Sequence, residues 1–76
     1  DDQKSAAAAI YILNYYEFIS SGVIRGDLDQ GIIRDNIRGL IIYYYDKCEP
    51  YITAANKKNP KAFEHLRKLR THYREP

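Results

Sequence analysis

The sequence predicts an all-α domain of three antiparallel helices, the second kinked near Pro50. Three observations carry that expectation. Apolar residues recur at steps of three and four along the chain, and no stretch alternates apolar and polar as a half-buried strand would. Two breaks, Gly26-Asp27-Leu28 and Asn59-Pro60, divide the chain into three runs. The β-branched residues, which favour strands elsewhere, fall at helical spacing here.

The first run extends from about Ser5 to about Arg25. Its alanine stretch is strongly helix-forming, and Gly26 is placed to cap its end. One stripe comprises Ala9, Leu13, Tyr16, Ser20 and Val23, with Ile12 and Ile19 beside it. A second, aromatic stripe of Tyr11, Tyr15 and Phe18 lies on a different face. Between Ile10 and Ile19 only Asn14 and Glu17 are polar. A helix apolar on most sides should be surrounded, and two short partner helices are too few to surround it. The exception would be tyrosines at the surface with only their hydroxyls wet.

Asp29 reads as the N-cap of the second helix, its carboxylate accepting orphan amide hydrogens at the positive end of the dipole. Leu28 and Ile33 fit a hydrophobic staple around it. The helix is expected to reach about Ala55, with a kink or brief break near Cys48–Glu49, because Pro50 removes one backbone bond. Its main stripe is Ile33, Ile37, Leu40, Tyr44, Cys48, Tyr51 and Ala55. Ile32, Gly39, Ile42 and Tyr43 form a second patch. Glycine inside a helix costs about 1 kcal/mol against alanine, so Gly39 is expected to admit a close neighbour.

Asn59-Pro60 reads as an N-cap followed by proline at the first helical position, and the third helix should run from Pro60 to about Arg74. Ala62, Phe63, Leu66, Leu69 and Tyr73 make an ordinary core stripe, with Lys61, Glu64 and Lys68 opposite. Arg67, Arg70 and Arg74 line one edge of it.

At 76 residues the chain is one domain, 1–76, near the size where a lone core supplies only a few kcal/mol. The single cysteine, Cys48, rules out an internal disulfide and fits a reducing compartment. Association is the remaining support, with a second copy, another protein or an upstream segment of a longer chain. Asp1 stands where a methionine would be expected, so the chain reads as a processed or excised piece, without a signal-peptide pattern. Ala6 to Ile24 is apolar enough to invite a transmembrane reading. A carboxylate such as Glu17 at mid-bilayer costs roughly 2.5–3.5 kcal/mol, so a buried helix of a soluble, cytoplasmic domain is the better expectation.

Little catalytic chemistry is available. His65 and His72 are seven residues apart, about 10 Å along a helix, too far to share a metal. Asp27, Asp29 and Gly31 miss the glycine and glutamate positions of a calcium loop. No glycine-rich phosphate loop exists, and Cys48 lies on a core stripe without a partner base. No metal or cofactor is expected, and no enzymatic activity. Asn14 and Glu17, amid apolar neighbours, read as a buried polar clamp completed by Arg38 or by the Arg67/Arg70/Arg74 edge, rather than as a carboxylate poised for catalysis.

The formal charge of +2 hides an asymmetry. Residues 57–76 carry seven basic and two acidic side chains, against five basic and eight acidic before them. Such a tail could meet nucleic acid or an anionic surface through Arg67, Arg70 and Arg74, or dock on the acidic part of its own chain.

The run Ile12-Leu13-Asn14-Tyr15-Tyr16-Glu17-Phe18-Ile19, then Gly22-Val23-Ile24, Gly26 and Leu28-Asp29, resembles a family of bacterial and phage proteins known only as a domain of unknown function. Arg38-Gly39, Pro50-Tyr51-Ile52 and Asn59-Pro60-Lys61-Ala62-Phe63 are similar to later parts of its pattern, so the resemblance reaches from about Ile12 to Tyr73. It implies a helical domain with no established activity, often preceded in longer members by helical or membrane-anchoring sequence. Ser20-Ser21 depart from the small apolar residues common before the family's glycine. The resemblance leaves membrane tethering of a longer chain open.

The functional expectation is therefore a non-enzymatic helical module for protein–protein interaction or self-association. Tyr11, Tyr15, Phe18, Ile32, Gly39, Ile42 and Tyr43 are its candidate interface. Nucleic-acid or anionic-surface binding through the basic third helix is the alternative.

Overall fold

A computed structural model describes residues 2–74, and of residues 2, 3, 30 and 74 the backbone alone. All its regular structure is helical, but the helices number four among the described residues: α1 Asp2–Arg25, α2 Gln30–Lys47, α3 Glu49–Lys58 and α4 Glu64–Arg74. The expected second helix is two. Pro50 has no amide hydrogen for the carbonyl a turn earlier, and its ring crowds that carbonyl. Cys48 therefore ends one helix, its amide on Tyr44 O at 2.9 Å, and begins the next, its carbonyl accepting from Tyr51 and Ile52.

The turn between α1 and α2 is built as its residues dictate. Gly26 takes the left-handed conformation, φ 84°, and its amide bonds Val23 O while that of Asp27 bonds Gly22 O. Those two bonds satisfy the last carbonyls of α1 in a Schellman arrangement. Leu28 folds back over Gly22, so close that a Cβ there would meet Leu28 Cδ1 at 2.8 Å. Asp29 then caps α2, accepting from Ile32 N at 2.9 Å.

The entry to α4 differs from expectation. Asn59 caps a turn: its Oδ1 accepts from Lys61 N at 3.0 Å and its carbonyl from Ala62 N. Phe63 sits at φ 55°, a conformation that costs a non-glycine residue about 1–2 kcal/mol, so no helix can run through it from Pro60. The helix starts one residue later.

α1 has 24 residues, about 36 Å of helix, and so spans the 37 Å long axis of the molecule. α4 packs against both α1 and α2, which also pack on each other, and α3 touches both from beyond the Cys48 break. The core between them holds Leu13, Tyr16 and Val23 from α1, Ile41 from α2, Ile52 from α3, and Leu66, Leu69 and Tyr73 from α4. On α1 and α4 these are the expected stripes. On α2 the buried arc follows Ile37, Ile41, Tyr44 and Cys48, and Leu40 is half exposed. A helix wedged between two others buries the arc facing both, here one residue round from Leu40. Beyond the break the helical phase restarts, and Ile52 rather than Tyr51 or Ala55 is fully enclosed. Among the described residues, no helix is long and apolar enough to cross a membrane.

Candidate functional site

Two arrangements stand out. One holds the domain together, and the other faces outward.

Phe63 has no oxygen in its side chain to cap α4, so the helix enters with unsatisfied amides. Glu17 supplies the acceptor from α1. Its Oε1 accepts from Leu66 N at 2.8 Å, and its Oε2 lies 2.6 Å from His65 Nδ1. A carboxylate there also complements the positive end of the helix dipole. At the other end of α4, the Arg38 guanidinium of α2 donates to Tyr73 O through Nε at 3.0 Å and through a second nitrogen. A cation on a terminal carbonyl is the matching choice for the negative end. Glu17 and Arg38 thus form a clamp, but on opposite ends of α4 rather than on each other. Asn14 takes no part in it and is exposed. His65 is mostly enclosed by this contact, whereas His72 is exposed.

The arginine edge is also turned inward. Arg67 donates to Ala62 O and Pro60 O, with Asn56 donating to Ala62 O as well, so it holds the strained turn before α4. Arg70 donates to Asp46 Oδ1 at 2.6 Å and lies over the Tyr45 ring, 5.2 Å from its centre. The side chain of Arg74 lies outside the described residues. Two of the three arginines proposed to meet an anion are thus bonded within their own chain, leaving Lys57, Lys58, Lys61 and Lys68 as exposed cations of this segment.

The outward arrangement is aromatic. Tyr11 is 77% exposed, Tyr15 57%, Phe18 75% and Tyr43 53%. Tyr15 meets Tyr16 edge-on at 5.3 Å, Tyr16 stacks on Tyr44 at 5.7 Å, and Tyr44 meets Tyr43 edge-on at 5.0 Å. These rings cross the α1–α2 seam and join the two patches that the sequence presents as separate. Lys47 extends the strip, donating to the Tyr43 hydroxyl at 3.1 Å. Ile32 and Leu40 are also exposed. Ile42 is not part of this face; it is partly buried and packs against the core. Gly39 has open space where a Cβ would be, so among the described residues none makes the close approach expected there. A hollow lined by Phe18, Ser21, Gly22, Arg25, Asp27 and Leu28 lies at the far end of the α1 face.

The buried thiol of Cys48 is pushed up from its ordinary range by desolvation, the reverse of what a nucleophile needs. Among the described residues, no three His, Cys, Asp or Glu side chains gather closely enough to hold a metal ion.

The chain belongs to the family described as a domain of unknown function, DUF4760, whose model matches residues 1–73. Neither a curated protein nor a solved structure matches it.

Proposed function

We propose that this domain is a non-enzymatic helical interaction module that takes another protein surface on the outer face of α1 and the adjoining Tyr43 strip of α2. One observation carries the reading. From Ser5 to Ile24, about 30 Å of helix, Glu17 is the only charged residue, and it is bound inward to α4. The outer side of α1 over that length is therefore uncharged and largely aromatic. At about 200 Å² per ring, the four exposed aromatics present an apolar area of about 500 Å², the size of patch that marks an interaction site. The enclosed single thiol suits a reducing compartment, and we place the module in the cytoplasm on that basis.

Photo-crosslinking in the native cell tests this. A benzophenone side chain at Tyr11 or Tyr43 should give a discrete protein adduct, and one at Lys68, exposed on α4, should not. Adducts absent at all three positions, or equal at all three, would refute the assignment.

A further inference from the structure

Resting on the interaction reading above, we infer that the occupant of this face is a second copy of the chain, joined through an antiparallel pair of α1 helices. The argument starts from periodicity. The inward stripe of α1, Ala9 to Val23, steps by four and three residues alternately and is buried throughout. The outer face has the same step: Ala8, Tyr11, Tyr15, Phe18 and Gly22, bounded by Lys4 and Arg25 in the same register. A sustained alternation of four and three is the seam of a helix packed along another helix at about 20°. The chain's own helices fill the first seam, and the second is covered only at Gly22, by Leu28 of the turn.

The outer seam is self-complementary in one direction. Around a two-fold axis between Tyr15 and Phe18, antiparallel helices set Tyr15 against Phe18 of the second copy and Tyr11 against Gly22. Each Tyr11 ring then enters the hollow lined by Phe18, Ser21, Gly22 and Leu28 together with the charged Arg25 and Asp27. A parallel pair would set ring on ring, glycine on glycine, and Lys4 and Arg25 each against its own copy, leaving that hollow empty. The area also fits. Tyr11, Tyr15 and Phe18 contribute about 400 Å² from each copy, about 800 Å² in the pair, and the flanking Tyr43 rings bring the total to about 1,000 Å², the lower bound for a specific interface. A net charge of +2 adds little repulsion. Tyr43, linked to Tyr15 through the tyrosine rings, flanks the pair.

Sedimentation equilibrium and crosslinking of the purified chain test this. The wild-type protein should be dimeric at micromolar concentration. Phe18→Glu, at a side chain already exposed in one copy, should keep the helical circular dichroism and weaken the dimer by about a hundredfold or more, because it buries two carboxylates in the seam. A mixture of Tyr15→Cys and Phe18→Cys chains should form the mixed disulfide faster than either forms its own. A wild-type monomer at high micromolar concentration would overturn the inference, as would a dimer indifferent to Phe18→Glu or Tyr15→Cys self-disulfides that outpace the mixed one. A monomer that still crosslinks a different protein through Tyr11 in the cell overturns the second copy and leaves the interaction reading intact. A monomer without any adduct removes both.

Discussion

Removing the Glu17 carboxylate should cost this domain a large part of its stability, because α4 has no cap of its own. The carboxylate accepts from Leu66 N at 2.8 Å and meets His65 Nδ1 at 2.6 Å. Its side chain is 24% exposed and that of His65 21%, so solvent weakens the contact without abolishing it. A hydrogen bond to a charged group contributes about 1.5–3 kcal/mol when buried; taking the low end for each bond, Glu17→Ala should lose about 2–3 kcal/mol. Glu17→Gln keeps an acceptor for the Leu66 amide but gives up the charge at the helix terminus, and should lose about 1 kcal/mol. A chain of this size has about 4–11 kcal/mol in total and moves about 4–8 °C in melting temperature per kcal/mol. The expected falls are thus about 10–20 °C for alanine and about 4–8 °C for glutamine. Thermal melts followed by circular dichroism, at one fixed protein concentration, read this directly. Combining Glu17→Ala with His65→Ala should cost less than the two losses added, since both delete one shared contact. If Glu17→Ala melts with the wild type while some activity disappears, the clamp is refuted and the carboxylate belongs to a chemical site instead.

Other consequences are independent of that pair. Ser20 Oγ and Tyr73 Oη are buried and have no hydrogen-bond partner among the described residues, so Ser20→Ala should raise the urea midpoint by an equivalent of about 1 kcal/mol; a lower midpoint would show that the hydroxyl has a partner. Gly26→Ala forces a Cβ into the left-handed φ of 84° and should cost about 1–2 kcal/mol in the same assay, whereas an unchanged midpoint would show that the turn relaxes freely. Burial, chiefly, raises Tyr16, Tyr45 and Tyr73 above the ordinary tyrosine value of 10.0. Above that value the unfolded chain sheds protons that the folded one retains, so the stability these residues contribute is complete below it and is lost as pH rises through their folded values. Tyrosinate absorbance should therefore rise cooperatively with the loss of helicity in alkali; helicity surviving full ionisation would contradict their burial.

Much of the local structure was legible in the residues themselves. Asp29 and Gly26 carry their roles in their chemistry, one an acceptor at a helix start and the other free to adopt positive φ. The inward stripe Ala9, Leu13, Tyr16, Ser20 and Val23 is buried at every position, since helix geometry alone sets which residues share a face. Pro50 marked the break in the second helix but left its degree undecided. The entry to α4 departs from the form of its sequence for a different reason. Asn59-Pro60 has the form of a helix start, yet the left-handed Phe63 interrupts it, and a positive φ at a bulky residue leaves no mark in the sequence.

Periodicity and capping chemistry act between residues a few positions apart, so the sequence by itself determined that the domain is helical, where α1 ends and α2 begins, and which face of α1 turns inward. Only the tertiary structure decided what meets across long separations. Glu17 bonds a residue 49 positions away and Arg38 one 35 positions away, each dictated by how α1 and α2 lie against the ends of α4. The same packing joined the aromatic patches of α1 and α2 through Tyr16 and Tyr44, and left the outer seam of α1 uncovered except at Gly22. No spacing along the chain encodes those contacts, because they depend on the relative placement of whole helices.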